Sequence, residues 1–228
     1  MSRVLPILFN TDMVRAILDD RKTVTRRICK DGDDYAVPDM SFYDADKRTY
    51  AVHRYANKEH TEKLSLVERT CPICPEDVLY VRETWSLEPC WDCGMDTEEH
   101  NCCDESARKI FNHDKGEYGC YVYRASFDDN VYPSAGVWRP SIHMPKEAAR
   151  IWLRVTDVRV KRLQDMWASD VSKEGLLFTR PYTAKEMILE FSKLWDSTIK
   201  KSDLDMYGWD ANPWVWVIEF ERCEKPKE

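Results

Sequence analysis

A basic run near the start of the chain carries residue types that can hold or attack a polar ligand. Residues 21 to 30 contain no acid and five basic side chains, which are Arg21, Lys22, Arg26, Arg27 and Lys30. Thr23 and Thr25 lie among them. A threonine hydroxyl becomes a nucleophile when a base takes its proton, and lysine serves as that base when burial or a second cation destabilises its ammonium group. Arg27 is a candidate for that cation. The plainer alternative is a solvated strand or a phosphate-contacting strip.

A second polar segment lies at residues 138 to 145. This segment contains two prolines, Pro140 and Pro145. It also contains an indole, a guanidinium, a hydroxyl and an imidazole, which belong to Trp138, Arg139, Ser141 and His143. Such a segment can stack a base on Trp138 and hold its phosphate through Arg139. It can equally be a rigid loop whose Trp138 and Met144 fill one end of a barrel. His143 is a candidate general base or a histidine that is simply hydrogen-bonded in place.

Glu83 is a third candidate, because it ends a predicted strand next to Trp85. Burial against an indole disfavours ionisation of a carboxyl group, and a carboxyl so perturbed is suited to acid or base catalysis. The alternative is a strand-end ion pair with Arg82 or Arg139.

The cysteines are concentrated in one region, since seven of the nine fall between Cys71 and Cys120. Two CxxC pairs followed by further Cys and His residues are typical of a tetrahedral zinc site. Without a metal, a reducing compartment would keep the cysteines as free thiols. A structural zinc ion is therefore expected to order this segment, which is poor in aliphatic residues. The candidate ligands are Cys71, Cys74, Cys90, Cys93, His100, Cys102 and Cys103.

Composition sets limits on the class of protein. The chain has 228 residues, 43% hydrophobic and 12% aromatic, with 34 basic and 41 acidic side chains and a formal net charge of −7. This mixture can bury a core and excludes a disordered or fibrous chain. Net acidity argues against non-specific coating of nucleic acid but allows a local basic groove. No stretch approaches the roughly 18 apolar residues of a membrane span, and the run 4–9 is too short for a signal peptide, so a cytoplasmic protein is expected.

The elements that position these residues follow from periodicity. Strands are predicted over residues 4–9, 78–82, 121–127, 151–160 and 214–220. Helices are predicted from an N-cap at Thr11 to about Asp19, over 166–175, and over 187–199 behind a capping box of Thr183 and Glu186. The pattern predicts one α+β domain over residues 1–228, a small barrel with insertions at about 28–70, including a hairpin at 42–52, and at about 86–118.

The run from Ile17 to Arg27 resembles the signature of the ASCH domain family, whose members are PUA-like β-barrels. Lys22, Thr25 and Arg27 match the motif, and Asp20 stands where the family has glycine. Residues 81–85, 138–145 and 212–220 are similar to ASCH-type proteins of bacteriophages and prophages. The resemblance implies a PUA-like barrel with flanking helices and a cleft for a nucleotide, a modified nucleoside or single-stranded nucleic acid.

One branch of small ASCH proteins hydrolyses the acetyl amide of N4-acetylcytidine with a lysine, a threonine and a glutamate, supported by an arginine. The resemblance implies these roles for Lys22, Thr25, Glu174 and Arg27. The other residues expected at the cleft are Arg26, Glu83, Trp85, Trp138, Arg139, Ser141 and His143. Two alternatives stay open. One is a binding module without chemistry, and the other is a phage protein that binds a host factor in the host cytoplasm through the acidic segment 90–105.

Overall fold

The computed structural model describes residues 2–30, 36–45, 48–54, 65–70, 72–88, 109–112, 117–133 and 136–227. The described chain is mixed α+β, as expected. Its contacts cluster into two units, each built from separate stretches of sequence. The first unit comprises Met1–Arg3, Asp19–Val78 and Arg154–Arg222, and the second comprises Val4–Leu18, Leu79–Leu153 and Cys223–Glu228.

The helices and strands follow one another along the chain as β1 (Val4–Leu8), α1 (Thr11–Leu18), β2 (Val24–Ile28), β3 (Ala36–Asp44), β4 (Thr49–Arg54), β5 (Ser65–Thr70), β6 (Val78–Arg82), β7 (Trp85–Glu88), β8 (Lys109–Asn112), β9 (Glu117–Tyr123), β10 (Trp152–Arg162), α2 (Ala168–Lys173), α3 (Ala184–Thr198), α4 (Leu204–Tyr207) and β11 (Trp214–Cys223).

In the first unit, strands β10, β11 and β2 are hydrogen-bonded neighbours in that order. The pairing of β11 with β2 is antiparallel and runs from Val215 opposite Ile28 to Glu219 opposite Val24. The alternating aromatic and aliphatic residues of β11 are buried in the core, and Val215 and Val217 on the other face are buried as well. Phe191 of α3 packs against that second face. Strand β11 therefore supplies apolar side chains on both sides.

The predicted insertion 28–70 contains more regular structure than its polar sequence suggests. Strands β3, β4 and β5 form an antiparallel sheet, and Phe42 opposite Ala51 confirms the hairpin at 42–52. The buried Tyr50 anchors this sheet, because its hydroxyl donates to the carbonyl of Val158 and its ring lies 5.4 Å from that of Trp216.

In the second unit, β1 neighbours β6, and β9 lies between β7 and β8. The strand predicted over 121–127 was wrong at its end, since β9 stops at Tyr123 and a 3₁₀ turn occupies Arg124–Ser126. The turn forms because Arg124 N donates to the carbonyl of Thr84 and Phe127 N donates to the carbonyl of Arg124. Apolar alternation alone did not reveal this change of direction.

The helix boundaries are close to the predictions, with one correction. Asn10, not Thr11, caps α1, since its Oδ1 accepts the amide of Met13 at 2.8 Å. The glycine that ends α2, Gly175, has a φ of 90°, which favours glycine. The capping box of Thr183 and Glu186 at the start of α3 is confirmed.

The sequence predicts a closed barrel and no membrane-spanning segment. No sheet formed by the described residues closes into a barrel. Among the same residues, no helix has the length and apolar character needed to cross a membrane.

A buried carboxylate fastens three segments of the first unit. Both oxygens of Asp77, whose side chain is fully buried, accept hydrogen bonds, from the guanidinium groups of Arg3 at 2.7 Å and Arg48 at 2.5 Å and from the amide of Cys74 at 3.0 Å. Burial alone raises the pKa of Asp77, but the hydrogen bonds from Arg3, Cys74 and Arg48 outweigh it and hold the pKa below its ordinary value.

Replacing Asp77 by Asn is expected to lower the free energy of unfolding at pH 7 by about 1–3 kcal/mol, because charged donors lose their anion. A carboxylate with a depressed pKa stabilises the fold above its unfolded pKa, and this contribution is lost as the pH falls through the folded value. The difference in unfolding free energy between wild type and Asp77→Asn should therefore become smaller as the pH is lowered. A series of urea titrations at different pH values measures this difference. Asp157→Asn, at a half-exposed site, is the control, and a gap independent of pH would contradict the assignment.

Candidate functional site

Lys22 lies just before β2 and is buried in the first unit, with a side-chain exposure of 0%. Its Nζ donates to three oxygens: the carbonyl of Val24 at 2.8 Å, the carbonyl of Glu174 at 2.9 Å and Glu174 Oε2 at 2.7 Å. An isolated antiparallel bridge between Lys22 and Glu174 holds the two backbones together. The structure thus brings together two residues that are 152 positions apart.

The carboxylate of Glu174 is shared between two cations. Its Oε1 accepts Arg26 Nη1 at 2.8 Å while Oε2 accepts Lys22. The other terminal nitrogen of Arg26 lies 3.9 Å from Asp170 Oδ2, and its guanidinium carbon is 5.9 Å from the ring centre of Phe191. We call Lys22, Arg26, Asp170 and Glu174 the lysine cluster. Arg26, which was expected at the ligand, contacts Glu174 in the structure.

Electrostatics in the lysine cluster favour loss of the Lys22 proton compared with a solvated lysine. Burial lowers the pKa of Lys22, the carboxylate of Glu174 opposes this shift, and the charges of Arg27 and Arg26 add to it, so that the pKa is lowered overall. Burial also lowers the pKa of Arg27, against the field of Glu174. The positive charge of Arg27 therefore contributes to the lowered pKa of Lys22.

Thr25 is buried in β2, directly after the carbonyl that accepts from Lys22. It pairs with Ile218 of β11. Since Lys22 Nζ is 2.8 Å from the carbonyl oxygen of Val24, bond lengths place the backbone nitrogen of Thr25 within about 5 Å of Nζ. Lys22 lies outside the regular strand, so the alternation that turns Thr25 away from Arg26 within β2 does not fix the direction of Lys22.

The turn before Lys22 has the conformation that glycine would favour. Asp20 has a φ of 57°, and aspartate is one of the few other residues that adopt this left-handed region. Arg21 then donates to the carbonyl of Gly175 at 2.5 Å, which fastens this turn to the end of α2. The aspartate at position 20 is therefore compatible with this left-handed turn.

Glu83 belongs to the second unit and has a different partner from those expected. Its two carboxylate oxygens accept Nε and Nη2 of Arg150 at 2.9 and 3.0 Å. The prediction of Arg82 or Arg139 was wrong, because Arg82 donates to the carbonyls of Ile142 and Met144. Burial raises the pKa of Glu83, against the hydrogen bond from Arg150, in the direction expected from the sequence.

Arg139, also in the second unit, covers the buried indole of Trp85. Reciprocal backbone hydrogen bonds of 2.8 and 3.2 Å join the two residues, and the Arg139 guanidinium carbon lies 5.0 Å from the ring centre. Within the described chain, the guanidinium has no hydrogen bond or ion pair, and the buried Trp85 Nε1 has no acceptor. Both groups have unused donors.

The neighbouring Trp138 is half-buried and already engaged. Its indole nitrogen donates to the carbonyl of Val131 at 3.1 Å, and Arg124 lies over its ring at 5.7 Å. Ser141 is half-buried and His143 is exposed. These contacts and the buried Met144 favour a packing role for Trp138.

The predicted zinc site lies almost entirely outside the described residues. Of the candidate ligands only Cys74 is described, and its buried Sγ accepts Arg3 Nη2 at 3.6 Å. The described residues contain no group of three or more Cys, His, Asp or Glu side chains suited to a metal ion. The ligands outside them are Cys71, Cys90, Cys93, His100, Cys102 and Cys103, and zinc there stays a prediction. The acidic segment 90–105 also lies outside.

Three residues that matter to these groups were not predicted from the sequence. Asp170 forms an ion pair with Arg26, Arg150 binds Glu83, and the exposed Trp167 immediately precedes α2. An acid three positions after a helix start was a usable signal for Asp170. Nothing in the local sequence paired Arg150 with Glu83, because strand-to-loop contacts depend on tertiary structure.

Replacing Glu174 by Gln should destabilise the protein more than replacing Lys22 by Met. The first change leaves Lys22 and Arg26 buried without their shared anion, and the expected loss is about 3–5 kcal/mol of unfolding free energy. The second leaves the pair of Arg26 and Glu174 intact, so about 1–3 kcal/mol is expected. Urea unfolding followed by circular dichroism checks the order, and equal losses would contradict a shared carboxylate.

Comparison of the chain with protein-family models, with curated proteins and with solved structures finds no match.

Proposed function

We propose that this chain is an ASCH-type protein with a PUA-like barrel that binds a modified nucleoside at the lysine cluster and hydrolyses an acyl amide on cytidine. The observation that carries the proposal is the ion pair of Lys22 and Glu174 at 2.7 Å. The family motif selects the lysine, and a separate local match selects the glutamate. Their contact across 152 positions supports using both in one reaction.

The proposed reaction adds water to an amide and releases a carboxylic acid and the free amino group of cytosine. Proton transfer from Lys22 to Glu174 turns the ion pair into a neutral amine and a carboxylic acid. The lowered pKa of Lys22 favours this exchange. The neutral amine then takes a proton from the Thr25 hydroxyl, or from a water that this hydroxyl directs, and oxygen attacks the acyl carbon.

The remaining charges around the lysine cluster suit the intermediate. Attack on the amide carbonyl develops a negative charge on its oxygen, and nearby fixed cations stabilise that charge in a site shielded from water. Arg27 is the proposed cation. When the carbon–nitrogen bond breaks, the leaving nitrogen takes a proton from the ammonium form of Lys22. If Thr25 itself is the nucleophile, a second water hydrolyses its ester.

Wild-type protein is expected to convert N4-acetylcytidine to cytidine and acetate, with both products separated by chromatography. Lys22→Met should reduce kcat by about 100-fold or more, as expected when a general base is removed, and Thr25→Val should remove the hydroxyl with little change of shape. Lys173→Met is the matched control, because that exposed lysine lies one residue from Glu174.

All variants must retain the wild-type circular dichroism spectrum for the comparison to count. Failure of the wild type to deacylate any N4-acylated cytidine would refute the hydrolase. Unchanged turnover by folded Lys22→Met would remove Lys22 from the reaction.

Arg139 supports a second candidate function, binding of single-stranded nucleic acid without chemistry. Its guanidinium lies over the Trp85 ring with donors unused among the described residues, beside an indole nitrogen that also lacks an acceptor there. A stacked guanidinium with free donors is suited to a phosphate. The two functions differ in whether a product is formed.

Under this alternative, Arg139→Ala should weaken binding of a single-stranded oligonucleotide and lower the slope of log affinity against log salt by about 0.7 to 1. Fluorescence anisotropy at several salt concentrations measures both. Arg154→Ala is the control, since Arg154 is half-exposed and lies 3.5 Å from Glu76. Equal slopes for wild type and Arg139→Ala would exclude a phosphate contact by this residue.

A further inference from the structure

Trp167 is the exception among the described tryptophans. Its relative exposure is 80%, whereas every other tryptophan that the structure describes is buried or half-buried. Tryptophan has the largest apolar side chain and is highly buried on average. An exposure of 80% leaves most of this indole accessible to a ligand.

The fold uses the backbone of Trp167 but not its indole. Trp167 N donates to Asp170 Oδ2 at 2.9 Å, which caps the start of α2. Any residue except proline would supply this N–H group. Within the described chain, the indole makes no hydrogen bond or ring contact. The side chain is therefore free to meet a ligand.

Trp167 also lies close to the lysine cluster. The same oxygen of Asp170 is 2.9 Å from Trp167 N and 3.9 Å from Arg26 Nη2, so these two nitrogens are less than about 7 Å apart. The six residues of α2 then lead directly to Glu174. At 1.5 Å per residue, the helix sets Trp167 about 10 Å from Glu174 along its axis, roughly the length of a nucleoside.

We propose that Trp167 stacks on the planar base of the ligand whose acyl group reaches Lys22 and Glu174. The inference rests on the proposed function and adds to it the residue that holds the cytosine ring. Aromatic side chains bind bases of any identity through their faces. Trp167 thus contributes affinity for the ring, while the lysine cluster distinguishes the acyl amide.

Equilibrium dialysis with labelled N4-acetylcytidine tests this role. Trp167→Ala is expected to raise Kd about 10- to 100-fold, and Trp167→Phe, which keeps an aromatic face, by less than about 5-fold. Tyr132→Ala, which removes a 69% exposed ring from the second unit, should leave Kd unchanged. In turnover assays, Trp167→Ala should raise KM far more than it lowers kcat.

The outcomes separate this inference from the function on which it rests. If the wild type binds no acylated nucleoside, the proposed function fails and stacking fails with it. If the wild type binds but folded Trp167→Ala has the same Kd, stacking alone is wrong. Loss of self-association in Trp167→Ala by analytical ultracentrifugation, with Kd unchanged, would assign Trp167 to a protein contact and likewise overturn the proposal.

Discussion

The first unit is organised around an ammonium group that has been removed from water. A buried charge is tolerated only when hydrogen bonds and an opposite charge replace its hydration. For Lys22 these come from the carbonyl of Val24 and from two oxygens of Glu174. The left-handed turn at Asp20, the start of β2 and the end of α2 at Gly175 must all be in place to supply them. Segments that are far apart in the sequence therefore depend on one donor, the ammonium group of Lys22.

Stability alone does not explain this arrangement. A buried ion pair is often no more stabilising than a well-packed apolar pair of the same volume, so its presence is weak support for a purely structural role. The lysine cluster also places a second cation, Arg26, on the same carboxylate, and burial together with the neighbouring guanidinium charges lowers the pKa of Lys22 against the pull of Glu174. Perturbed groups of this kind concentrate at functional sites. The burial that lowers the pKa of Lys22 is therefore also the reason why the lysine cluster adds little to the stability of the fold.

Much of the architecture was predictable, and the reasons are local. The strand at 78–82 and the capping box at Thr183 follow from nearest-neighbour patterns, and both are present. The sheet of β3, β4 and β5 was underestimated, because its polar sequence conceals the period that marks a strand. The N-cap of α1 is Asn10 and not Thr11. Both residues are good caps, and the spacing of apolar residues cannot distinguish two adjacent positions.

The candidate site was also predictable only in part. Lys22 and Glu174 were both named from the sequence, yet their contact depends on a bridge between segments that no local pattern joins. Arg26 was expected to face the ligand, and its role toward Glu174 emerges only when α2 is placed. The partner of Glu83 was mistaken for the same reason, since Arg150 is 67 positions away. Residue types were therefore easier to predict than the pairs they form.

The antiparallel pairing of β2 with β11 has a consequence for how the chain acquires its structure. Its partners are about 190 residues apart in sequence, and contacts of such separation form slowly because a long loop must close first. At a synthesis rate of about 5–20 residues per second, the β2 segment waits roughly 10 seconds or more for its partner to emerge from the ribosome. Until then Thr25 has no opposing strand, and once synthesised, the apolar residues of β11 remain a target for chaperones until they pair.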